Sequence, residues 1–290
     1  MTQLITALSE VSDRYDALFV DLWGCVHDGV TAFPEAVAAL QAYRAKGGAV
    51  ILVTNAPRSR HEVAKQLVRF GVPTDAYDDI ATSGDSGRAA MFQGAVGNKV
   101  WFIGQEFDRS FFEPLQLIEN PAPVEVVPLE EAEGIVCCGP LDPHADPDVY
   151  RPQFLLAKQR GLKLLCANPD IVVDRGGRRE YCAGALAALY TEMGGESLYF
   201  GKPHPPIYDL ARRRLEQHRK GVADAGILAI GDGPATDVRG AMGEDLDSLF
   251  ITGGLAREET RTEIQPEPGA LTDYIASQQI APTFSIGYLR

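Results

Sequence analysis

Along most of the chain, apolar runs of strand length alternate with stretches of helical periodicity, a pattern that predicts a parallel sheet covered by helices on both faces. Leu18-Phe19-Val20 is the first such run, and it stops at Asp21. Pro34 opens a helix in which Val37, Leu40 and Tyr43 recur at helical spacing before Gly47-Gly48 closes it. Val50 to Val53 is a second strand and runs straight into Thr54-Asn55. Ser59 and Glu62 stand at capping-box spacing before a helix whose inward face is Val63, Leu67 and Phe70. The same pattern resumes much later. Leu198-Tyr199-Phe200 leads into Gly201-Lys202-Pro203; Ile207, Leu210, Ala211 and Leu215 line one side of a helix; Ile227 to Ile230 end in Gly231-Asp232. Leu249 to Thr252 reads as one more strand, closed by Gly253-Gly254. A strand buried on both faces is apolar without a break, so the polar residues that follow it mark the carboxyl edge of the sheet, where open α/β sheets bind ligands. Five loops are therefore expected to converge on one crevice.

Between the two halves, the stretch from about Ser83 to Glu196 carries strands of its own at Val100–Ile103, Ile135–Cys138 and Leu162–Cys166. It is too long for a loop and reads as an inserted domain. The expected division is a discontinuous core, 1–82 with 197–290, and an α/β cap, 83–196. The Pro-rich segment 120–128 falls inside the cap as an internal connection, and no repeat or low-complexity tract interrupts the pattern.

Composition narrows the function. The 290 residues are 45% hydrophobic, enough for a sizeable core, and their formal net charge is −13. That charge, with no Lys/Arg-dense block to offset it, argues against binding nucleic acid or an anionic membrane, while leaving room for a small phosphorylated substrate held by local donors. The five cysteines (Cys25, Cys137, Cys138, Cys166, Cys182) are odd in number and lack zinc-type spacing, which reads as reduced thiols in a cytoplasmic protein. Residues 1–14 have no secretory apolar run, and no stretch approaches the length of a membrane span.

A lone Asp at a strand end is more often a cap or turn residue than a nucleophile. Asp21 has company, however: Thr54 offers a hydroxyl and an amide, Lys202 a cation, and Asp232 with Asp237 two more carboxylates across one short loop. Carboxylates gathered this way repel one another unless a divalent cation sits among them, and hard oxygen ligands favour Mg²⁺.

The strings Asp21-Leu-Trp-Gly-Cys-Val-His-Asp-Gly29, Val53-Thr-Asn-Ala-Pro57, Gly201-Lys-Pro203 and Gly231-Asp-Gly-Pro-Ala-Thr-Asp237 resemble, in order, the four motifs of the haloacid dehalogenase superfamily. The likeness is to its sugar-phosphatase and nitrophenyl-phosphatase branch and extends over nearly the whole chain. It implies a Rossmann-like core with a large cap inserted between the second and third motifs, and association as a homodimer through that cap. It further implies Asp21 as nucleophile and Mg²⁺ ligand, with phosphate held by Thr54 and the Asn55 amide. Lys202 would neutralise nucleophile and phosphate, Asp232 would bind the metal, and Asp237 would hold a metal-bound water or position Lys202. The Trp23 carbonyl would complete the metal site, and Asn168-Pro169-Asp170 resembles the cap loop that selects the substrate.

One position departs from the pattern. Phosphatases of this family place a second Asp two residues after the nucleophile to protonate the leaving group, and here that residue is Trp23. Three explanations stand side by side: His27 or Asp28 on the same loop supplies the proton; the leaving group is good enough to depart unprotonated; or the reaction resembles that of dehalogenases or phosphonate hydrolases, which lack this Asp. A phosphate-ligand sensor that kept the metal site is the non-enzymatic rival. Gly84-Asp85-Ser86-Gly87 matches a serine-protease string but reads here as a hinge and helix start. Gly176-Gly177, between Arg175 and Arg178-Arg179, reads as a solvated turn. His61, His144, His204 and His218 are expected at the surface.

Overall fold

The computed structural model describes residues 2–113, 120–175 and 178–290. In chain order the strands are β1 (Gln3–Leu4), β2 (Ala17–Val20), β3 (Ala49–Thr54), β4 (Asp79–Thr82), β5 (Lys99–Ile103), β6 (Glu125–Val126) and β7 (Gly134–Cys137). They continue as β8 (Lys163–Cys166), β9 (Val172–Arg175), β10 (Arg178–Tyr181), β11 (Glu196–Tyr199), β12 (Ile227–Gly231), β13 (Asp247–Ile251) and β14 (Phe284–Ile286). The chain divides into two compact units, one made of 1–54, 63–81 and 202–290, the other of 55–62 and 82–201.

In the first unit seven strands run in the order β1-β14-β13-β12-β2-β3-β4, and the pairings from β1 through β3 are parallel. Every residue of β2, β3 and β12 is buried, which is why these strands are unbroken apolar runs in the sequence. The helix Pro205–His218 lays Ile207, Leu210, Ala211 and Leu215 against Phe19, Ile51, Val53 and Ala229 of one sheet face. Each such side chain contributes roughly 1.5–3 kcal/mol of burial free energy. The strand order reverses between β2 and β12: the chain moves outward through β3 and β4 on one side and through β13 and β14 on the other. Open α/β sheets have their ligand crevice at such a switch point, and here it falls beside Asp21 and Asp232.

The second unit has its own parallel sheet, β11-β8-β7-β5-β6, and a separate antiparallel hairpin of β9 and β10. Alternate residues serve opposite faces. Ile135 and Leu164 pack with Phe154, Leu186 and Tyr190, while Val136 and Leu165 pack with Met91 and Phe111. All five cysteines are buried free thiols.

The structure departs from the sequence reading in several places. Asn55 to Glu62, expected with the core, groups with the second unit because helix Ser83–Phe92 holds it. Gly84 lies so close to that segment that a Cβ there would sit 2.5 Å from the Arg58 carbonyl oxygen, and the Asp85 carboxylate accepts from the Arg60 amide at 3.2 Å. The Gly84-to-Gly87 string is a helix start as expected, with Thr82 Oγ1 accepting the Asp85 amide at 2.9 Å. Strands β4 and β14 escaped the sequence reading because polar residues shorten their apolar runs: Asp79 and Thr82 at the two ends of one, Ser285 within the other. The Pro-rich connection contributes β6 at a sheet edge. His61, His144 and His218 are exposed and His204 is half-buried. Gly176-Gly177 lies outside the described residues. Among the described residues no helix is long and apolar enough to cross a membrane.

Candidate active site

The first unit brings five of the residues singled out in the sequence together. Asp21 follows β2 directly and continues its ladder, its amide donating to the Ile230 carbonyl at 2.8 Å; Thr54 ends β3, and Asp232 follows β12. These are neighbouring strands, so three polar residues line up along one sheet edge. Asp237 sits in a π-helical turn, Pro234–Val238, a rare geometry that recurs at functional sites. Lys202 Nζ donates to Asp21 Oδ1 at 2.5 Å and to Asp237 Oδ1 at 2.7 Å. Asp21, Thr54, Lys202, Asp232 and Asp237 are all buried.

Burying three carboxylates and one ammonium together leaves a charge imbalance. Burial, then the repulsion of Asp237, pushes Asp21 above the ordinary carboxylate range against the pull of Lys202. Burial, then Asp21 and Asp237, pushes Asp232 well above it. For Lys202 burial opposes the charge, but Asp21 and Asp237 outweigh it and hold the ammonium well above its usual range.

The residues present fit a divalent cation. Asp21, Cys25 and Asp232 place ligand atoms within 4.8 Å of one another, all of them buried. Asp232 uses Oδ2 to accept the Leu255 amide at 3.0 Å. Gly24 and Gly254 press against that oxygen so closely that a Cβ at either would come within 2.1 or 2.0 Å of it. Gly24 also needs its left-handed φ of +71°, which turns the loop back so that its amide donates to the His27 carbonyl at 3.0 Å. Both oxygens of Asp237 are engaged, Oδ1 by Lys202 and Oδ2 by the Gly233 amide at 3.0 Å, so a direct bond from Asp237 to a cation would displace one of these donors.

Trp23 is half-buried and lies across Gly29, where a Cβ would meet the indole at 2.2 Å. His27 is wedged edge-on between Trp23 and Phe70, with ring centroids 5.4 and 4.9 Å away. Its Nδ1 accepts the Gly29 amide at 3.0 Å, which leaves the ring proton on Nε2, and burial depresses its pKa to about 4. His27 is therefore neutral near pH 7. Asp28 is exposed and caps a turn, accepting the Val30 and Thr31 amides at 2.8 and 2.7 Å.

Asn55, Asn168 and Asp170 come together in the second unit. Asn55 Nδ2 donates to Asp170 Oδ1 at 2.8 Å, and the Asp170 amide donates to Asn168 Oδ1 at 3.0 Å. The loop is seated on Gly184, where a Cβ would sit 2.1 Å from the Pro169 carbonyl oxygen. Cys25, Gly184 and the Leu255 amide are the contributors that sequence reasoning missed. Of these only Cys25 carries a signal in the sequence, its place in the Asp21 loop, whereas cysteine count and spacing read it with the other four as a reduced thiol.

The chain is similar to known proteins over nearly its whole length. The family model described as haloacid dehalogenase-like hydrolase matches residues 18–117, and a second, described as HAD-hydrolase-like, matches residues 199–277. A hydrolase of the haloacid dehalogenase-like family from Brucella suis is 41% identical, with a TM-score of 0.85 over 99% of this chain and 100% of that one. The p-nitrophenyl phosphatase of Archaeoglobus fulgidus shares the fold at 22% identity, with a TM-score of 0.71 over 94% of this chain and 96% of that one. The 5′-nucleotidase YutF of Bacillus subtilis is 24% identical over 270 residues, 90% of this chain and 98% of that protein. Motif order, strand-end geometry and these likenesses agree that the chain belongs to the haloacid dehalogenase-like hydrolases.

Proposed function

We propose that the protein is a Mg²⁺-dependent phosphohydrolase that cleaves a small phosphorylated metabolite through an aspartyl phosphate on Asp21. The observation that carries this reading is Lys202, buried and bonded to both Asp21 and Asp237 beside Asp232. Such a cluster is costly to assemble for stability alone, and it suits a transferring phosphoryl group. The phosphatase names of the relatives support the same reaction.

Asp21 attacks phosphorus in line, so that one phosphorus–oxygen bond forms while the bond to the leaving oxygen breaks; water then cleaves the acyl phosphate to inorganic phosphate and restores the carboxylate. Lys202 holds Asp21 in position and offsets charge on the equatorial oxygens. Asp237 in turn holds Lys202, and Thr54 binds phosphate. Asp21, Asp232 and the Trp23 carbonyl would hold Mg²⁺, which would supply further charge compensation. We assign substrate selection to Asn168 and Asp170, with Asn55 as their partner. Trp23 cannot give a proton and His27 is neutral with its ring packed, so the reading includes a leaving group that departs with little acid help. The test is Asp21→Asn, which is nearly isosteric: turnover of an aryl phosphate with Mg²⁺ is expected to fall at least about 10³-fold. Substantial retained activity, or activity undiminished by EDTA, would overturn the reading.

A further inference from the structure

The loop after β2 carries a group that the proposed reaction does not use. The cysteine Cys25 is 1% exposed, and its Sγ makes no hydrogen bond among the described residues. It is not part of the thiol-bearing core of the second unit; the turn at Gly24 folds it against Asp21 and Asp232. Two atoms that share one cation lie no further apart than the sum of their bond lengths, about 4.5 Å for a sulfur–oxygen pair. A set spread over at most 4.8 Å closes on a cation with small side-chain shifts. Asp21 has an oxygen beyond the one bonded to Lys202, and Asp232 one beyond the one bonded to Leu255. The three ligand atoms thus form a mixed set of two oxygens and one sulfur. Mg²⁺ ignores sulfur, whereas Zn²⁺, Co²⁺ and Cd²⁺ take thiolate together with carboxylate.

We propose that Cys25 is a third ligand that lets the Asp21–Asp232 pocket take a thiophilic divalent cation in competition with Mg²⁺. On binding, the Sγ proton passes to solvent and a metal–sulfur bond forms, with no change in oxidation state. The inference rests on the placement of Mg²⁺ in this pocket, and it makes the enzyme's metal state depend on the ratio of hard to soft cations around it.

The experiment is a Cd²⁺ titration of the reduced, metal-free, full-length protein, following the sulfur-to-metal charge-transfer band in the ultraviolet. The wild type is expected to develop the band to saturation at one cation per chain, and added Mg²⁺ is expected to suppress it competitively. Cys25→Ser is expected to remove the band and lower the preference for Cd²⁺ over Mg²⁺ at least about tenfold. Cys25→Ala serves the same purpose should the serine variant misfold. Asp232→Asn, which keeps the thiol, is expected to weaken the band at least about tenfold. An undiminished band in both Cys25 variants, no band in the wild type, or a band indifferent to Mg²⁺ would overturn the inference. Thermal stabilisation by Mg²⁺ is measured in parallel. Stabilisation by Mg²⁺ without a Cd²⁺ band defeats this inference and leaves the proposed function standing, whereas a Cys25-dependent band with neither competition nor stabilisation by Mg²⁺ overturns this inference together with the Mg²⁺ site on which it rests.

Discussion

The two units gather their polar residues by different means. In the first, Asp21, Thr54 and Asp232 emerge from strands whose every residue is buried, and Lys202 ties Asp21 to Asp237 by charge. In the second, Asn55, Asn168 and Asp170 are held by neutral and singly charged hydrogen bonds along a loop, seated where Gly184 leaves room for the Pro169 carbonyl. Under the proposed function, chemistry that must place a nucleophile within a fraction of an ångström is built on rigid strand ends, and recognition that must vary from one substrate to another is left to a loop. Changes in the first unit should therefore act on rate and charge, and changes in the second on discrimination.

The largest expected effect concerns Trp23. Acid assistance is worth about 10²–10⁴ in rate, so without it turnover should depend steeply on leaving-group pKa across aryl and alkyl phosphates. Trp23→Asp should then speed the poorest leaving groups most. A shallow dependence in the wild type, steepened by His27→Ala, would instead make His27 the acid despite its packing.

Lys202→Met comes next. It leaves Asp21 and Asp237 facing one another, buried and uncompensated, and breaking a buried pair in this way costs about 3–5 kcal/mol. Urea denaturation should show that loss in metal-free protein and a partial recovery with Mg²⁺. A loss below about 1 kcal/mol would mean that the cluster is no more charge-held than the loop of the second unit.

His27 gives a pH signature of the first unit. The unfolded imidazole takes up a proton near its ordinary 6.5 and the folded one only near about 4. The contribution of a neutral, buried His27 to stability is therefore complete above 6.5 and falls as pH drops through that interval. His27→Gln, which still accepts the Gly29 amide and does not titrate, should lose up to about 3 kcal/mol less stability between those limits. Parallel acid-denaturation curves for the two proteins would refute this account of His27.

The smallest effect is expected in the second unit. Gly184→Ala forces a Cβ into the Pro169 carbonyl and should cost about 1–3 kcal/mol by overpacking. Its mark should be a changed ranking of substrates by kcat/KM with the pH–rate profile retained. A uniform fall in kcat for every substrate would break the contrast between the units.

Much of this molecule was legible in its sequence. Parallel strands buried on both faces are unbroken apolar runs, so β2, β3, β12 and β13 and the polar residues at their ends could be found from pattern alone. Asp21, Thr54, Lys202, Asp232 and Asp237 stood out by their place after such runs, and the roles given to them came from the resemblance of their order to the motifs of the haloacid dehalogenase superfamily. Strands bounded by Asp79 and Thr82 or interrupted by Ser285 gave no such signal, since their burial comes from neighbours distant in the chain. Only the tertiary structure decided that both oxygens of Asp237 are occupied, that His27 is locked between two aromatic rings, that residues 55–62 belong with helix Ser83–Phe92, and that the Cys25 thiol faces two carboxylates. All of these are three-dimensional contacts, and the placement of Cys25 depends further on the left-handed turn at Gly24. Composition and periodicity report what a residue is and which face it takes, whereas a ligand set is made by the direction in which a turn aims its side chains.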